Sequence, residues 1–92
     1  MFQKRPKEGG IAFSGLRQSG KRTKLEVGVG DVVELRLEGE RLRVKLDGFG
    51  KNSQFEGSII SFEPSQASQH KGLKVGQKIE FSEENIFGCS LA

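Results

Sequence analysis

Apolar and charged residues alternate through two runs between Asp31 and Leu46, DVVELRLEGERLRVKL. Alternation with a period of two marks a strand that buries one face. Two such runs flank Gly39-Glu40, so the stretch reads as a hairpin. Glycine first in a two-residue loop suits a type II′ turn. In that register Leu37 faces Leu42, Leu35 faces Val44 and Val33 faces Leu46. The opposite face pairs Glu38 with Arg41, Arg36 with Arg43 and Glu34 with Lys45. A slip of one residue would drive charges into the core, so the register is expected to be well specified.

The pattern elsewhere predicts more strands and no long helix. Leu25, Val27 and Val29 alternate into the hairpin, with Gly28 and Gly30 marking a bend. Asp31 sits at that bend, where its side chain ties down a backbone amide. Asp47–Ser53, DGFGKNS, reads as a loop. Its Phe49 either folds back as a plug over the core or stacks on a partner. Gln54–Phe62, QFEGSIISF, has apolar residues on both faces in its second half, which fits either a strand passing from one sheet layer to another or one that bends at a bulge near Ile59-Ile60. Gly57 would let that strand coil sharply. Glu63-Pro64 ends it, because proline donates nothing to a ladder.

Ser65–Lys71 is a polar connection in which Ser65 can cap a single turn and His70 faces solvent. Gly72–Phe81 predicts a strand with Ile79 and Phe81 inward. Ser82 is a candidate cap for a turn over 82–85. Ile86–Leu91 is the last strand, with Phe87 and Cys89 on one face and Cys89 as a small buried hydrophobe. Val29-Gly30-Asp31-Val32-Val33-Glu34-Leu35 is echoed by Val75-Gly76-Gln77-Lys78-Ile79-Glu80-Phe81. The echo predicts similar bends at two corners of one barrel.

Five or six short strands of this kind must curl to cover their own core. The expected fold is all-β: a small, partly open antiparallel barrel over residues 25–92, carrying a flexible basic arm over 1–24. The alternating hairpin, the strand bent at Gly57, the short turn near 65–71 and the final strand resemble the SH3-like barrel class in architecture. The aromatic groove of its peptide-binding members is missing, since the chain has neither Trp nor Tyr. Within the arm, Ile11-Ala12-Phe13 can add an edge strand or lie on the body.

Charge divides the chain more sharply than its net +3 suggests. Residues 1–24 carry seven basic side chains and one acidic, a balance of +6, and residues 25–92 carry eight basic and eleven acidic, a balance of −3. A basic arm on a mildly acidic body suits phosphate backbones or acidic protein surfaces. The candidate anion or partner surface comprises Arg17, Lys21, Arg22 and Lys24 on the arm, Arg36, Arg43 and Lys45 on the hairpin, and Phe49 and Lys51 on the loop. Paired guanidinium groups at Arg36 and Arg43 would clamp phosphates or carboxylates.

Several function classes drop out. One cysteine excludes an internal disulfide framework, and one histidine beside it is too little for a standard zinc centre. Gly15–Thr23, GLRQSGKRT, misses the phosphate-loop pattern because Arg22 separates Lys21 from Thr23, and the hydroxyl must follow the lysine directly to reach magnesium. No apolar run approaches the roughly 18 residues of a membrane helix, and the expected compartment is the cytosol. No cluster joins acid, base and nucleophile. The expectation is therefore a binding module, neither enzyme nor cofactor protein. Its partner would be another protein or a second copy paired edge to edge. The alternative is DNA or RNA held by its phosphates.

Overall fold

The computed structural model describes residues 2–14 and 27–91, and their fold is nearly all β. The strands are β1 (Ala12–Ser14), β2 (Val32–Leu37), β3 (Glu40–Phe49), β4 (Phe55–Glu63), β5 (Gln69–His70), β6 (Leu73–Lys74), β7 (Lys78–Phe81) and β8 (Gly88–Ser90). Six of them form one open sheet in the order β1-β8-β2-β3-β4-β7, and β5 and β6 form a separate small hairpin. Every neighbour in the large sheet is antiparallel except β1 and β8. Among the described residues no helix is long and apolar enough to cross a membrane.

The alternation of β2 and β3 does bury Val33, Leu35, Leu37, Leu42, Val44 and Leu46. Their pairing differs from the expected one by two residues. Leu35 opposes Leu42, Val33 opposes Val44 and Leu37 opposes Glu40. The turn is Glu38-Gly39, not Gly39-Glu40, with φ of 43° and 87°. Two positive φ values define a type I′ turn, whose twist matches that of the strands it joins. A shift of two keeps every side chain on its face while changing every partner. Arg36 therefore lies opposite Arg41 rather than Arg43, Glu34 lies opposite Arg43, and Lys45 lies opposite Val32.

The bulge expected in β4 is present: Arg43 pairs with Ser61 and Val44 with Ile59, leaving Ile60 as the extra residue. The extra residue is what turns both Ile59 and Phe62 into the core. A second irregularity lies between Leu46 and Gly48, where Asp47 is the extra residue in β3. Gly57 opposes Leu46 where β3 and β4 approach most tightly. A Cβ there would lie 2.6 Å from both Lys45 O and Val44 Cγ1.

The sequence echo is a structural repeat. Gly28–Asp31 and Lys74–Gln77 are both turns with glycine third, φ 94° at Gly30 and 89° at Gly76, the type II signature. Asp31 N donates to Gly28 O and Gln77 N to Lys74 O. The fourth side chain then accepts from the first amide: Asp31 Oδ2 from Gly28 N at 2.8 Å, Gln77 Oε1 from Lys74 N at 3.0 Å. Each turn also docks on a bulge. Gly30 N donates to Leu46 O and Leu46 N to Asp31 O, and Gly76 N donates to Ile59 O and Ile59 N to Gln77 O. The pairs Val33–Val44, Glu34–Arg43 and Leu35–Leu42 correspond to Ile79–Gly57, Glu80–Glu56 and Phe81–Phe55. A pseudo-twofold between β3 and β4 thus relates β2 to β7.

Other expectations change. Val27–Gly30 forms no strand, and Leu25 lies outside the described residues. The expected strand 72–81 is broken by the Val75-Gly76 turn into β6 and β7. No helical turn forms at 65–71, although Ser65 Oγ accepts from Ala67 N at 3.2 Å and also donates to Glu40 Oε1. His70 does not face water: its Nε2 lies 3.1 Å from Leu37 O and its ring meets Phe62 edge-on. A 3₁₀ turn follows Ser82, over Glu83–Asn85, with Asn85 Oδ1 accepting from Ser82 N and Oγ. That turn sends Ile86, not Phe87, into the core beside Cys89.

Residues 2–14, expected within a flexible arm, lie against the sheet. Phe2, Ile11 and Phe13 pack on the core. Gln3 N donates to Arg36 O, and Arg5 N donates to Glu84 O. The Arg5 guanidinium donates to Gly9 O and to Glu83 Oε1 at 2.5 Å. The chain turns at 6–9 and returns as β1, pairing Ala12 with Gly88 and Ser14 with Ser90.

Candidate functional site

With one face of the large sheet buried, chemistry must sit on the outer face. Strands β1, β8, β2, β3 and β4 present there Ala12 and Ser14, Gly88 and Ser90, Glu34 and Arg36, Arg41 and Arg43, and Glu63. The small residues come from β1 and β8 and the long cationic ones from β2 and β3. The difference in height makes a trough of about 500 Å³. Its floor is Ala12, Gly88, Ser14 and Ser90, with the two hydroxyls 3.2 Å apart. Its walls are Arg36, Arg41, Arg43, Phe87, Glu34 and Glu63.

The type I′ turn sets the electrostatics by placing Arg36 directly across from Arg41. Like charges in that position repel, at a cost of some tenths of a kcal/mol. Arg36 is held away by two contacts: its Nε donates to Glu34 Oε2 at 3.1 Å, and its guanidinium carbon lies 4.1 Å from the centre of the Phe87 ring. The second contact is a cation–π interaction. Arg43 Nε lies 3.9 Å from Glu63 Oε2, with both side chains partly exposed. Exposed pairs of that length contribute little. Arg41 is exposed and lies across from Glu63 on β4, but among the described residues it makes no ion pair within 4.0 Å. Three arginines and two glutamates give the trough a formal charge of +1.

The repeat supplies a comparison within the molecule. On the equivalent backbone of β4, Arg43 and Lys45 are replaced by Glu56 and Ser58, and Gln54, just before the strand, takes the place of Arg41. The inward positions stay largely apolar in both halves. The cations are thus no requirement of the backbone they stand on.

The structure brings Arg36 and Arg43 together and adds Arg41 and Phe87. Lys45 is exposed one row away, between Val32 and Ser58. Phe49 and Lys51 are elsewhere: six residues along a strand put Phe49 about 20 Å from Arg43. Phe49 ends β3 rather than sitting on a loop, and it plugs nothing. It is 67% exposed, its ring tilted against Phe55 at 5.5 Å. Arg17, Lys21, Arg22 and Lys24 lie outside the described residues. The sequence signal for Arg41 was the run Arg41-Leu42-Arg43-Val44-Lys45, which lines three cations along one strand face. The expected turn hid it by giving Arg41 to Glu38. Phe87 was hidden by its assignment to the core.

The remaining reactive side chains serve the fold. Cys89 is buried, with Sγ 3.7 Å from Asp31 Oδ2, and Asp31 is fully buried at the corner it caps. Among the described residues no three of His, Cys, Asp and Glu gather as metal ligands. Compared with family models, curated proteins and solved structures, the chain matches none of them.

Proposed function

We propose that the chain is a non-catalytic protein-interaction module and that the trough receives an acidic segment of its partner. The observation that carries this is Arg41. It stands between Arg36 on β2 and Glu63 on β4 and forms no ion pair among the described residues, while Glu34 and Glu63 turn to Arg36 and Arg43. A guanidinium left in that state can form a bidentate pair with an incoming carboxylate. The small floor lets a backbone approach, and Ser14 and Ser90 offer it hydroxyl groups. The four-strand meander β2-β3-β4-β7, the return of β8 beside β2 and the two bulges support a partly open barrel of the SH3-like kind.

The test is anisotropy of a labelled hexaglutamate peptide against the full chain, with hexaserine as reference. Selective glutamate binding that Arg41→Glu abolishes supports the reading. Equal binding of the two peptides refutes it.

One observation favours nucleic-acid phosphates as a second reading. Ser14 lines the trough, and the sequence that follows it carries basic residues at 17, 21, 22 and 24. Binding of generic DNA or RNA would then fall linearly with salt on a log–log plot, with a slope of about −0.7 to −0.9 per phosphate engaged. Removal of the charges at those four positions would flatten it.

A further inference from the structure

We infer that the partner segment carries an aliphatic side chain two or three residues from its acidic group, and that a second groove across Arg43 receives it. This rests on the acidic-segment reading above and adds the second determinant. Beyond Arg43 and Glu63, which also wall the trough, a groove of about 540 Å³ runs to Ile60, Ala67 and Val75. Ile60 is the extra residue of the β4 bulge and is 41% exposed; Val75, at the head of the second corner turn, is 45% exposed. Two aliphatic side chains are thus turned to water on one groove, beside the cations of the other.

Charge complementarity identifies the occupant. The Arg43–Glu63 pair is long and exposed, so it yields to a competing carboxylate at little cost. Glu34 and Glu63 interrupt the cations and oppose a long run of phosphates, whereas one or two carboxylates need only Arg41 and Arg43, displacing Glu63 from the latter. The second groove pairs aliphatic Ile60, Ala67 and Val75 with polar Ser61, Gln66 and Ser68 and has no aromatic residue on which a base could stack. From β3 to the far side of β4 is one or two strand spacings, about 5–10 Å. An extended chain covers that distance in two or three residues. The occupant is therefore an extended protein segment with acids over Arg41 and Arg43 and a Leu, Ile or Val against Ile60 and Val75.

Fluorescein-labelled Glu-Glu-Ser-Ser-Leu-Leu, its reverse sequence, Glu-Glu-Ser-Ser-Ser-Ser and a short thymidine oligonucleotide test this by anisotropy on the full chain at low salt. One of the leucine peptides is expected to bind about tenfold more tightly than the serine peptide, the gain from burying an aliphatic side chain. Ile60→Ser and Val75→Ser, both at exposed positions, should remove that gain and leave the serine peptide unchanged. Arg41→Glu should weaken all the peptides. Equal binding of leucine and serine peptides overturns this inference and leaves the acidic-segment reading standing. Failure of every peptide, or binding of the oligonucleotide alone, overturns both.

Discussion

Replacing Gly57 with alanine adds one methyl group at the tightest crossing of β3 and β4. The added carbon would lie 2.6 Å from Lys45 O and 2.6 Å from Val44 Cγ1, where ordinary contact begins at 3.4 Å. Both neighbours would have to retreat by about 0.8 Å for normal van der Waals separation. Val44 can give a little by rotation, but Lys45 O is backbone in a strand paired on both sides. Overpacking of this kind costs about 2–3 kcal/mol. In a domain of this size that lowers Tm by about 10–20 °C. Thermal unfolding followed by circular dichroism measures it. Gly48→Ala is the control, since an added Cβ there meets nothing within 4 Å. The double variant Val44→Ala/Gly57→Ala separates the two contacts. Val44→Ala alone leaves a cavity and costs about 2 kcal/mol. The pair should cost about 1 kcal/mol less than the sum, because the methyl clash disappears and the backbone clash stays. If Gly57→Ala shifts Tm no more than Gly48→Ala does, or if the pair is additive, the crowding argument fails.

The remaining predictions follow from residues 2–14, the corners and the trough. Arg41→Glu should change stability by no more than about 0.5 kcal/mol, as expected of an exposed side chain with no ion pair, while removing acidic-peptide binding; urea unfolding beside anisotropy checks both. Asp31→Ala should cost about 2–3 kcal/mol, because the Gly28 amide loses its buried acceptor, whereas Gln77→Ala at the exposed equivalent should cost under about 1 kcal/mol; equal losses would refute the distinction. Arg5→Ala removes the side-chain bonds to Gly9 O and Glu83 and should destabilise by about 1–2 kcal/mol. Hydrogen exchange should then accelerate at the Gln3 and Arg5 amides before it does in β3.

Period-two alternation made the buried faces of β2 and β3 legible, because inward charge is too costly for those strands to face the other way. It left the register open. A shift of two residues keeps every face and is decided by turn geometry, which Gly39 controls from the second loop position. The candidate site suffered from that ambiguity: Arg36 and Arg43 were on the correct face, but the residue opposite Arg36 was Arg41. The β4 bulge was legible because apolar residues at both Ile59-Ile60 and Phe62 cannot share one regular strand face. Phe87 and His70 were misread for a shared reason. Each follows a tight turn that rotates the chain, and rotation at a turn leaves no periodicity to read. Residues 2–14 were unreadable as strand because β1 is three residues long, and its pairing with β8 joins segments far apart in sequence.

The paired corners make the two halves of this domain interchangeable at the level of the main chain. Side chains at matched outward positions can therefore be transplanted with the supporting architecture held constant. Writing arginine at Gln54 and Glu56 would lay a second cationic rail along β4, across the pseudo-axis from the first. Any gain in anion capture would then belong to the side chains alone, because the scaffold beneath them had already been built once.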